Sequence, residues 1–293
     1  MKYALFLGCT IPIRGQNYEM ATRTVAKTLG IHFDNLEDFS CCGFPIRSIN
    51  SEISLLIAAR NLAVAADRDE KICTLCSACT SVLTGANKEL TSNRKLREKI
   101  NKELAKIGRT YKPGVEIKHF ARVLYEDIGL NFIKNKIKND LGKLRLSIHY
   151  GCHYLRPSSL YDYFEDAENP STIEELVSVT GAEVIDYKNK LDCCGGALLG
   201  IEGDMALSMA KPKLDNVTAN KVDALVTICP FCSIMYEDNQ KKIEAKYGVN
   251  YNLPVLYYPQ VLGLALGINQ EKLGFHMNKI KPDALLEKLE LVK

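Results

Sequence analysis

Two short apolar segments that each end in a cysteine divide the chain into two similar halves. Residues 2–9 and 144–152 both have the pattern of a short buried strand. Apolar residues at helical spacing follow each segment, over 18–29 and 172–180, and the glycine after each helix is a suitable C-cap. The order of predicted elements in the first half is therefore repeated in the second.

The repeat continues toward the middle of each half. Helical patterns cover 53–66 and 204–219, and the second helix is expected to be broken or kinked at Pro212. Short apolar strands at 71–75 and 224–228 come next, and each runs into the sequence Thr-x-Cys-x-x-Cys. The shared threonine fixes the alignment of the two halves.

A further helix and a last strand complete each half. The helices begin at Ser77 and Ser233, and the strands cover 115–118 and 254–257. Strands that alternate with helices predict an α/β fold of two pseudo-repeated halves, each a mainly parallel sheet flanked by helices. The cysteines then lie at the strand ends, where open α/β sheets bind ligands.

We place the boundary between the two domains at the end of the polar stretch 131–142, which we interpret as a linker. The first domain covers 1–142 and the second covers 143–293. Basic residues are concentrated in 88–118, where we predict a solvated amphipathic helix. A docking face for an acidic electron-transfer partner is the alternative interpretation of this stretch.

Composition narrows the class of protein. The chain has 293 residues, 46% of them hydrophobic and 25% charged, as in ordinary globular proteins. A net charge of +3 is too small to indicate nucleic-acid binding. No stretch has the roughly 20 apolar residues that span a bilayer, and the apolar residues before Cys9 are fewer than a lipoprotein signal needs. We therefore expect no nucleic-acid partner and no membrane.

The cysteines carry the strongest signal. Ten of the eleven form two copies of one pattern, a single cysteine followed by Cys-Cys-Gly and then by Cys-x-x-Cys. An odd number in each half argues against disulfides, and without a secretory signal we expect the reducing cytoplasm. The first set is Cys9, Cys41, Cys42, Cys76 and Cys79, and the second set is Cys152, Cys193, Cys194, Cys229 and Cys232.

The number of thiols in each set restricts the metal. Structural zinc takes four ligands, so either half could hold zinc with one cysteine to spare. Iron–sulfur clusters are also held by thiolates, and adjacent cysteines can reach different irons where a glycine lets the backbone come close. Gly43 and Gly195 lie at these places. The alignment of the Thr-x-Cys segments leaves Cys73 outside both sets.

The cysteine spacing resembles that of the cysteine-rich CCG domain. A chain with two complete copies and no other domain resembles the B subunits of the heterodisulfide reductases of methanogenic archaea. The resemblance implies that each set binds one noncubane [4Fe-4S] cluster through its five cysteines. It further implies that the two clusters face the S–S bond of the coenzyme M–coenzyme B heterodisulfide and deliver one electron each.

The same resemblance implies partners and an activity. The chain would be a disulfide oxidoreductase within an electron-bifurcating complex, with no flavin or nicotinamide of its own. Its partners would be a small ferredoxin-like iron–sulfur protein of the same complex, a larger flavin-containing protein, and a hydrogenase or formate dehydrogenase.

Two other functions stay open. Some CCG proteins relay electrons in complexes of lactate, glycolate, succinate or sulfur metabolism, and they usually carry ferredoxin-like cysteine segments in the same chain. None occurs here, so we expect electrons to arrive from another subunit. The completeness of both cysteine sets favours the reductase interpretation, because a simple relay does not need two facing clusters. A zinc-stabilised scaffold that only binds partners is the third hypothesis.

One histidine and three arginines complete the candidate site. His153 follows Cys152 and is our candidate proton donor, because histidine titrates near neutral pH. Capping of the next turn, or a hydrogen bond to a cluster sulfur, is the alternative. His149 lies inside a strand pattern and fits a core histidine. Three arginines lie four or five residues after a cysteine and are candidates to bind substrate anions, with a solvated surface role as the alternative: Arg14, Arg47 and Arg156.

Overall fold

Eight strands form two four-stranded sheets with the same topology. The computed structural model describes residues 1–291. In each half the first strand lies between the second and the third, the fourth pairs with the third, and all pairs are parallel. The strands are β1 (Lys2–Phe6), β2 (His32–Asp34), β3 (Ile72–Thr74) and β4 (Ile117–His119), then β5 (Arg145–His149), β6 (Glu183–Val184), β7 (Ala224–Thr227) and β8 (Val255–Tyr257).

Helices connect the strands and cover the sheets, which confirms the predicted α/β fold of two similar halves. The first half has α1 (Ile11–Arg14), α2 (Gln16–Thr28), α3 (Ser51–Ala66), α4 (Ser77–Ser92), α5 (Arg94–Ala105), α6 (Phe120–Arg122) and α7 (Leu130–Lys134). The second half has α8 (Cys152–Leu155), α9 (Thr172–Ser178), α10 (Gly203–Ala219), α11 (Pro230–Ser233), α12 (Gln240–Tyr247), α13 (Tyr258–Ala265) and α14 (Asp283–Lys288). Among residues 1–291, no helix combines the length and the apolar composition needed to cross a membrane.

The edge strands β2 and β6 are absent from the sequence prediction. They contain three and two residues, and each begins with an exposed polar residue, His32 or Glu183. Neither segment lies in an apolar run, so only their pairing with β1 and β5 defines them. The helix α10 runs from Gly203 to Ala219 as one element with Pro212 inside it, so it is not broken there.

The stretch 131–142 is packed against the protein. Residues up to Lys134 belong to α7, and Ile133 and Leu141 are fully buried. The backbone N–H groups of Lys138 and Asn139 both donate to the carbonyl of Ala265. The interpretation of 131–142 as a polar linker therefore misses its buried apolar positions. Backbone hydrogen bonds attach the stretch to the end of α13.

The basic stretch 88–118 forms a solvated helix over the range of α5. Ile100 and Leu104 are buried on one face. Exposed ion pairs on the other face join Arg94 to Glu98 and Lys99 to Glu52. This arrangement matches the predicted amphipathic helix, although the helix is shorter than the stretch.

Residues of both halves pack together in a shared hydrophobic cluster. Leu5 and Tyr18 of the first half and Ile148 and Tyr257 of the second belong to the same buried cluster. The rings of Tyr18 and Tyr257 stack with centroids 4.0 Å apart, and the Tyr18 hydroxyl donates to the Ile228 carbonyl at 3.1 Å. Because apolar burial is the dominant favourable contribution to folding, we expect the halves to unfold together.

Replacing Tyr18 tests this shared core. Tyr18→Ala should lower the free energy of unfolding by about 3–5 kcal/mol, because the substitution removes a buried aromatic ring that packs between the two halves. Urea unfolding followed by circular dichroism should remain a single transition. Tyr163→Ala, at a side chain that is 76% exposed, is the control and should change stability by less than about 0.5 kcal/mol. Two separate transitions would show that the halves have independent cores.

Candidate functional site

The cysteines of both sets lie just beyond the carboxyl ends of the strands. Cys9 follows β1, and Cys152 follows β5 as the first residue of α8. Cys76 follows β3 and Cys229 follows β7, and each is the residue before a helix, α4 or α11. The parallel sheets thus bring segments that are distant in sequence to one edge, as the sequence predicts.

The two Cys-x-x-Cys segments have the same backbone geometry. Cys76 has φ −134° and ψ 121°, and Cys229 has φ −136° and ψ 129°, both at a helix N-terminus. The pKa of Cys76 is raised well above its ordinary value, chiefly by Cys229, and the backbone N–H of Cys79 opposes this effect. The pKa of Cys229 is lowered well below its ordinary value, chiefly by Cys232. The thiolate is therefore favoured at Cys229.

The two Cys-Cys-Gly turns depend on their glycines. Gly43 and Gly195 have φ angles of 93° and 78°. A Cβ atom would lie 2.8 Å from the carbonyl oxygen of Ser54 in the first turn and 2.8 Å from that of Ala206 in the second. The glycine N–H groups lie 3.4 Å from the sulfurs of Cys41 and Cys193. A side chain at either glycine would displace the cysteine pair.

The ten cysteines of the two sets form one array in which each thiol shifts the pKa of the next. The order reads the same from both ends when the halves are aligned. The two sets meet at Cys76 and Cys229, which shift each other's pKa and lie in the same buried cluster. The order is Cys9, Cys41, Cys42, Cys79, Cys76, Cys229, Cys232, Cys194, Cys193 and Cys152.

Contacts between thiols separate their pKa values. The bond with Cys41, followed by that with Cys79, lowers the pKa of Cys42 to about 4. The bond with Cys193 raises the pKa of Cys194 to about 12. The thiolate is the form that binds a metal. Five sulfurs in each set exceed the four that tetrahedral zinc accepts, so the donor set fits an iron–sulfur cluster better.

Exposure decreases along each set toward the contact between the sets. Cys9 is exposed, and Cys41, Cys152 and Cys193 are partly exposed. The remaining members of both sets are buried. A small molecule can thus approach the outer cysteines, whereas the junction is shielded from water.

Cys73 is separate from both sets. It lies in β3, is fully buried, and packs in the core that contains Tyr3 and Leu5. The buried members of the sets instead belong to the second buried cluster, together with Ile72. Neighbouring residues of a strand face opposite sides of a sheet, which explains the separation. Burial raises the pKa of Cys73 well above its ordinary value, so it stays a neutral thiol.

A cavity of about 70 Å³ lies at the second cysteine set. All five of its cysteines line the cavity, and Phe44, Ser77 and Ala78 of the first half complete the wall. His153 also lines it and packs edge-on against Phe44, with ring centroids 5.0 Å apart. The candidate proton donor is therefore at the meeting of the two halves. Burial lowers the pKa of His153, and the nearby Arg47 charge lowers it further.

The three candidate arginines differ in their surroundings. The Arg14 guanidinium lies 3.4 Å from a carboxylate oxygen of Asp238, and that of Arg156 lies 3.0 Å from one of Glu168. Arg47 is exposed and lines a groove of about 240 Å³, whose other walls include Pro157 of the second half. The Arg47 charge lowers the pKa of His153, whereas Arg14 and Arg156 each form an ion pair with a carboxylate.

His149 and Lys213 form a site network that the sequence analysis misses. His149 is buried, as expected of a core histidine, but its Nε2 lies 3.1 Å from the Cys232 sulfur. The Lys213 Nζ lies 2.8 Å from the His149 Nδ1. Burial lowers the pKa of Lys213 to about 8, and the electrostatic influence of Cys232 and Cys194 opposes this effect.

Comparison with known families agrees with the geometry. The profile of the cysteine-rich domain named CCG matches residues 3–84 and again residues 146–237. These two segments contain all ten cysteines of the array.

The chain belongs to the CCG cysteine-rich domain family. It is 35% identical to the B subunit of the ferredoxin:CoB-CoM heterodisulfide reductase of Methanosarcina mazei, over 98% of this chain and 97% of that protein. It is also 33% identical to the 8-methylmenaquinol:fumarate reductase membrane anchor subunit of Wolinella succinogenes, over 95% of this chain and 97% of that one. The predicted resemblance to the B subunits of heterodisulfide reductases is thereby confirmed.

A solved structure supports the fold. The crystal structure of a hypothetical protein from Helicobacter pylori matches 96% of this CCG chain with a TM-score of 0.77. The sequence identity is 16%, and the match covers 52% of the other chain. The likeness concerns the fold alone.

The position of Cys73 gives a direct test of the ligand sets. Cys73→Ala should leave the iron content of anaerobically reconstituted protein unchanged, because Cys73 faces the other core. Cys79→Ala should remove about half of the iron, because Cys79 joins Cys42 to Cys76 in the array. Iron analysis and visible absorption measure both effects. The reverse result would show that Cys73 and Cys76 are the ligands. The alignment of the two CCG domains on their Thr-x-Cys-x-x-Cys segments would then be wrong.

Proposed function

We propose that this chain is the iron–sulfur subunit of a multi-subunit reductase and that it cleaves the coenzyme M–coenzyme B heterodisulfide. The observation that carries the proposal is the presence of two complete five-cysteine sets, whose members Cys76 and Cys229 lie in one buried cluster shared by both halves. Cleavage of a disulfide consumes two electrons and two protons and releases two thiols. Two adjacent one-electron centres match this stoichiometry.

Each set would hold one noncubane [4Fe-4S] cluster through its five cysteines. When bound, the clusters supply one electron each and provide iron sites for the two product sulfurs, since thiolates are soft ligands that iron accepts. The chain contributes the position of the ligands. The burial of Cys76 and Cys229 keeps water from the junction, while the outer cysteines face the approach of the substrate.

His153 is placed to supply a proton. Its ring lies in the wall of the cavity of the second set, and burial favours the neutral imidazole. An imidazole whose ring Nδ1 or Nε2 carries a proton from solvent can pass it to a sulfur that gains charge. The packing against Phe44 fixes the plane of the ring.

Arg47 is the arginine that best fits an anionic group of the substrate. Its guanidinium is exposed at a groove lined by both halves, close to His153. A planar guanidinium binds sulfonate, phosphate or carboxylate through paired hydrogen bonds. Arg14 and Arg156 already bind carboxylates, which leaves them for surface roles.

The chain has no ferredoxin-like cysteine segment, so electrons would come from other proteins of the complex. We propose that a small ferredoxin-like iron–sulfur protein is the direct donor. Behind it we place a flavin-containing, electron-bifurcating protein, with a hydrogenase or formate dehydrogenase as the source of electrons.

We propose that the chain works in the cytoplasm, because eleven free cysteines persist in a reducing compartment.

An electron-relay subunit is the second candidate. The observation that favours it is the 33% identity to a membrane anchor subunit named for a fumarate reductase. In a relay, electrons pass through one set to the other, and no disulfide is cleaved.

Loss of one set at a time separates the two functions. Cys41→Ala and Cys193→Ala should each lose one cluster, and each should reduce heterodisulfide turnover with a viologen donor to background, because both electrons are needed at one S–S bond. Cys73→Ala is the matched control and should keep its activity. Circular dichroism and iron analysis verify folding and the loss of one cluster. Substantial turnover in either variant would show that one set suffices and would favour the relay.

A further inference from the structure

Lys213 is a buried cation without a carboxylate partner. Its side chain is 1% exposed and lies inside α10. No carboxylate among residues 1–291 lies within 4.0 Å of its Nζ. Its three hydrogen bonds go to the carbonyls of Lys190 and Asp192, at 2.9 and 2.8 Å, and to His149. Burial of a charge is costly unless an opposite charge compensates it, so this position favours an anionic neighbour.

The hydrogen bonds of Lys213 assign the tautomer of His149. An ammonium group has three protons, and the three acceptors around the Lys213 Nζ use all of them. The His149 Nδ1 is one of these acceptors, so the ring proton is on Nε2. That N–H points at the Cys232 sulfur, at 3.1 Å. A protonated Nε2 is a hydrogen-bond donor and not a metal ligand, although His149, Cys194 and Cys232 lie close enough to surround an ion.

The tyrosine ring beside this pair holds it in place. The His149 ring packs edge-on against Tyr236, with centroids 5.0 Å apart. The Lys213 Nζ lies 5.9 Å from the centroid of the same ring. Tyr236 is fully buried, so the pair has little freedom to move.

The first half has neutral residues at the corresponding positions. Lys213 lies 18 residues after Gly195, and Asn61 lies 18 residues after Gly43. The side chain of Asn61 donates to the Cys41 carbonyl at 2.9 Å and accepts from the backbone of Ser40. Asn61 therefore supports the chain around the cysteine pair without adding a charge.

The first half has an apolar residue at the position that corresponds to His149. His149 lies three residues before Cys152, and Phe6 lies three residues before Cys9. Phe6 is fully buried and packs edge-on against Phe39. The two cysteine sets thus have matching sulfurs and different surroundings. At these two positions the second set has a lysine and a histidine beside a sulfur, and the first set has an asparagine and a phenylalanine.

We propose that His149 and Lys213 are positioning residues that raise the reduction potential of the second site above that of the first. The proposal rests on the proposed function, in which each set holds a cluster. Reduction of a site adds one electron from an external donor and changes no bond. The added negative charge is stabilised by the Lys213 ammonium and by the His149 N–H bond to the Cys232 sulfur, because hydrogen bonds to sulfur and nearby charge set such potentials.

The consequence is a defined order of reduction. An electron that enters the pair of sites resides at the second site, next to His153. The first site, with Phe6 and Asn61, is reduced second.

Variants that keep one site allow each potential to be measured by itself. Cys41→Ala retains the second site and Cys193→Ala retains the first. We expect a higher potential in the Cys41→Ala protein, in a dithionite titration followed by paramagnetic resonance. Iron analysis of the two proteins is a separate readout. Absence of iron would overturn the proposed function, whereas iron in both proteins with equal or reversed potentials would overturn only the present inference.

Substitution of Lys213 then tests the cause. In the Cys41→Ala background, Lys213→Met should lower the potential and Lys213→Arg should restore most of it. In the Cys193→Ala background, Lys213→Met should leave the potential unchanged. Lys211→Met is the matched control, because Lys211 lies on the same helix and pairs with Asp215 at 2.6 Å. An equal shift with Lys211→Met, or none with Lys213→Met, would contradict the role of the buried charge.

Substitution of His149 by the residue of the first half supplies a second readout. In the Cys41→Ala background, His149→Phe should remove the coupling of the unpaired electron to the imidazole nitrogen in spin-echo spectra and should lower the potential. If Lys213→Met prevents iron binding, the comparison of the two single-site proteins still decides the proposal. A coupling unchanged in His149→Phe would show that the histidine makes no bond to a cluster ligand.

Discussion

The burial of Cys76 and Cys229 in one cluster is the constraint on which the site depends. Both residues precede a helix at the carboxyl end of a central strand, and they belong to different halves. They can meet only if the two sheets are held together by a common core. The shared packing of Tyr18 and Tyr257 supplies that core. The organisation of the fold and the continuity of the cysteine array therefore have the same physical origin.

A duplicated fold does not make the two sites equal. The backbone of the Cys-x-x-Cys segments and the glycine turns repeat closely, because the geometry of the sulfurs allows little variation. The residues behind the sulfurs are free to differ, since they need only fill the same volume. Lys213 and His149 stand where Asn61 and Phe6 stand in the first half. In this account the sulfurs select the cofactor, and the residues behind them distinguish one site from the other.

Much of the fold and the ligand pattern could be predicted from the sequence. Apolar segments and the repeated cysteine spacing are local signals, and within residues 1–291 they indicated six of the eight strands and the two sets. The edge strands β2 and β6 lie outside any apolar run, so the sequence contains no local signal for them. The bond between His149 and Lys213 joins residues 64 positions apart, so no local signal reveals it. Alignment of the two halves against each other would have marked Lys213, because a lysine there replaces a buried asparagine.

The most direct test of the central claim is the metal and sulfide content of the anaerobically purified protein. Two five-cysteine sets that each hold a four-iron cluster require about eight irons and about eight acid-labile sulfides per chain. The visible spectrum should show sulfur-to-iron charge transfer, and zinc should be absent. A preparation that saturates at about one zinc per half, without sulfide or visible absorption, would contradict the account.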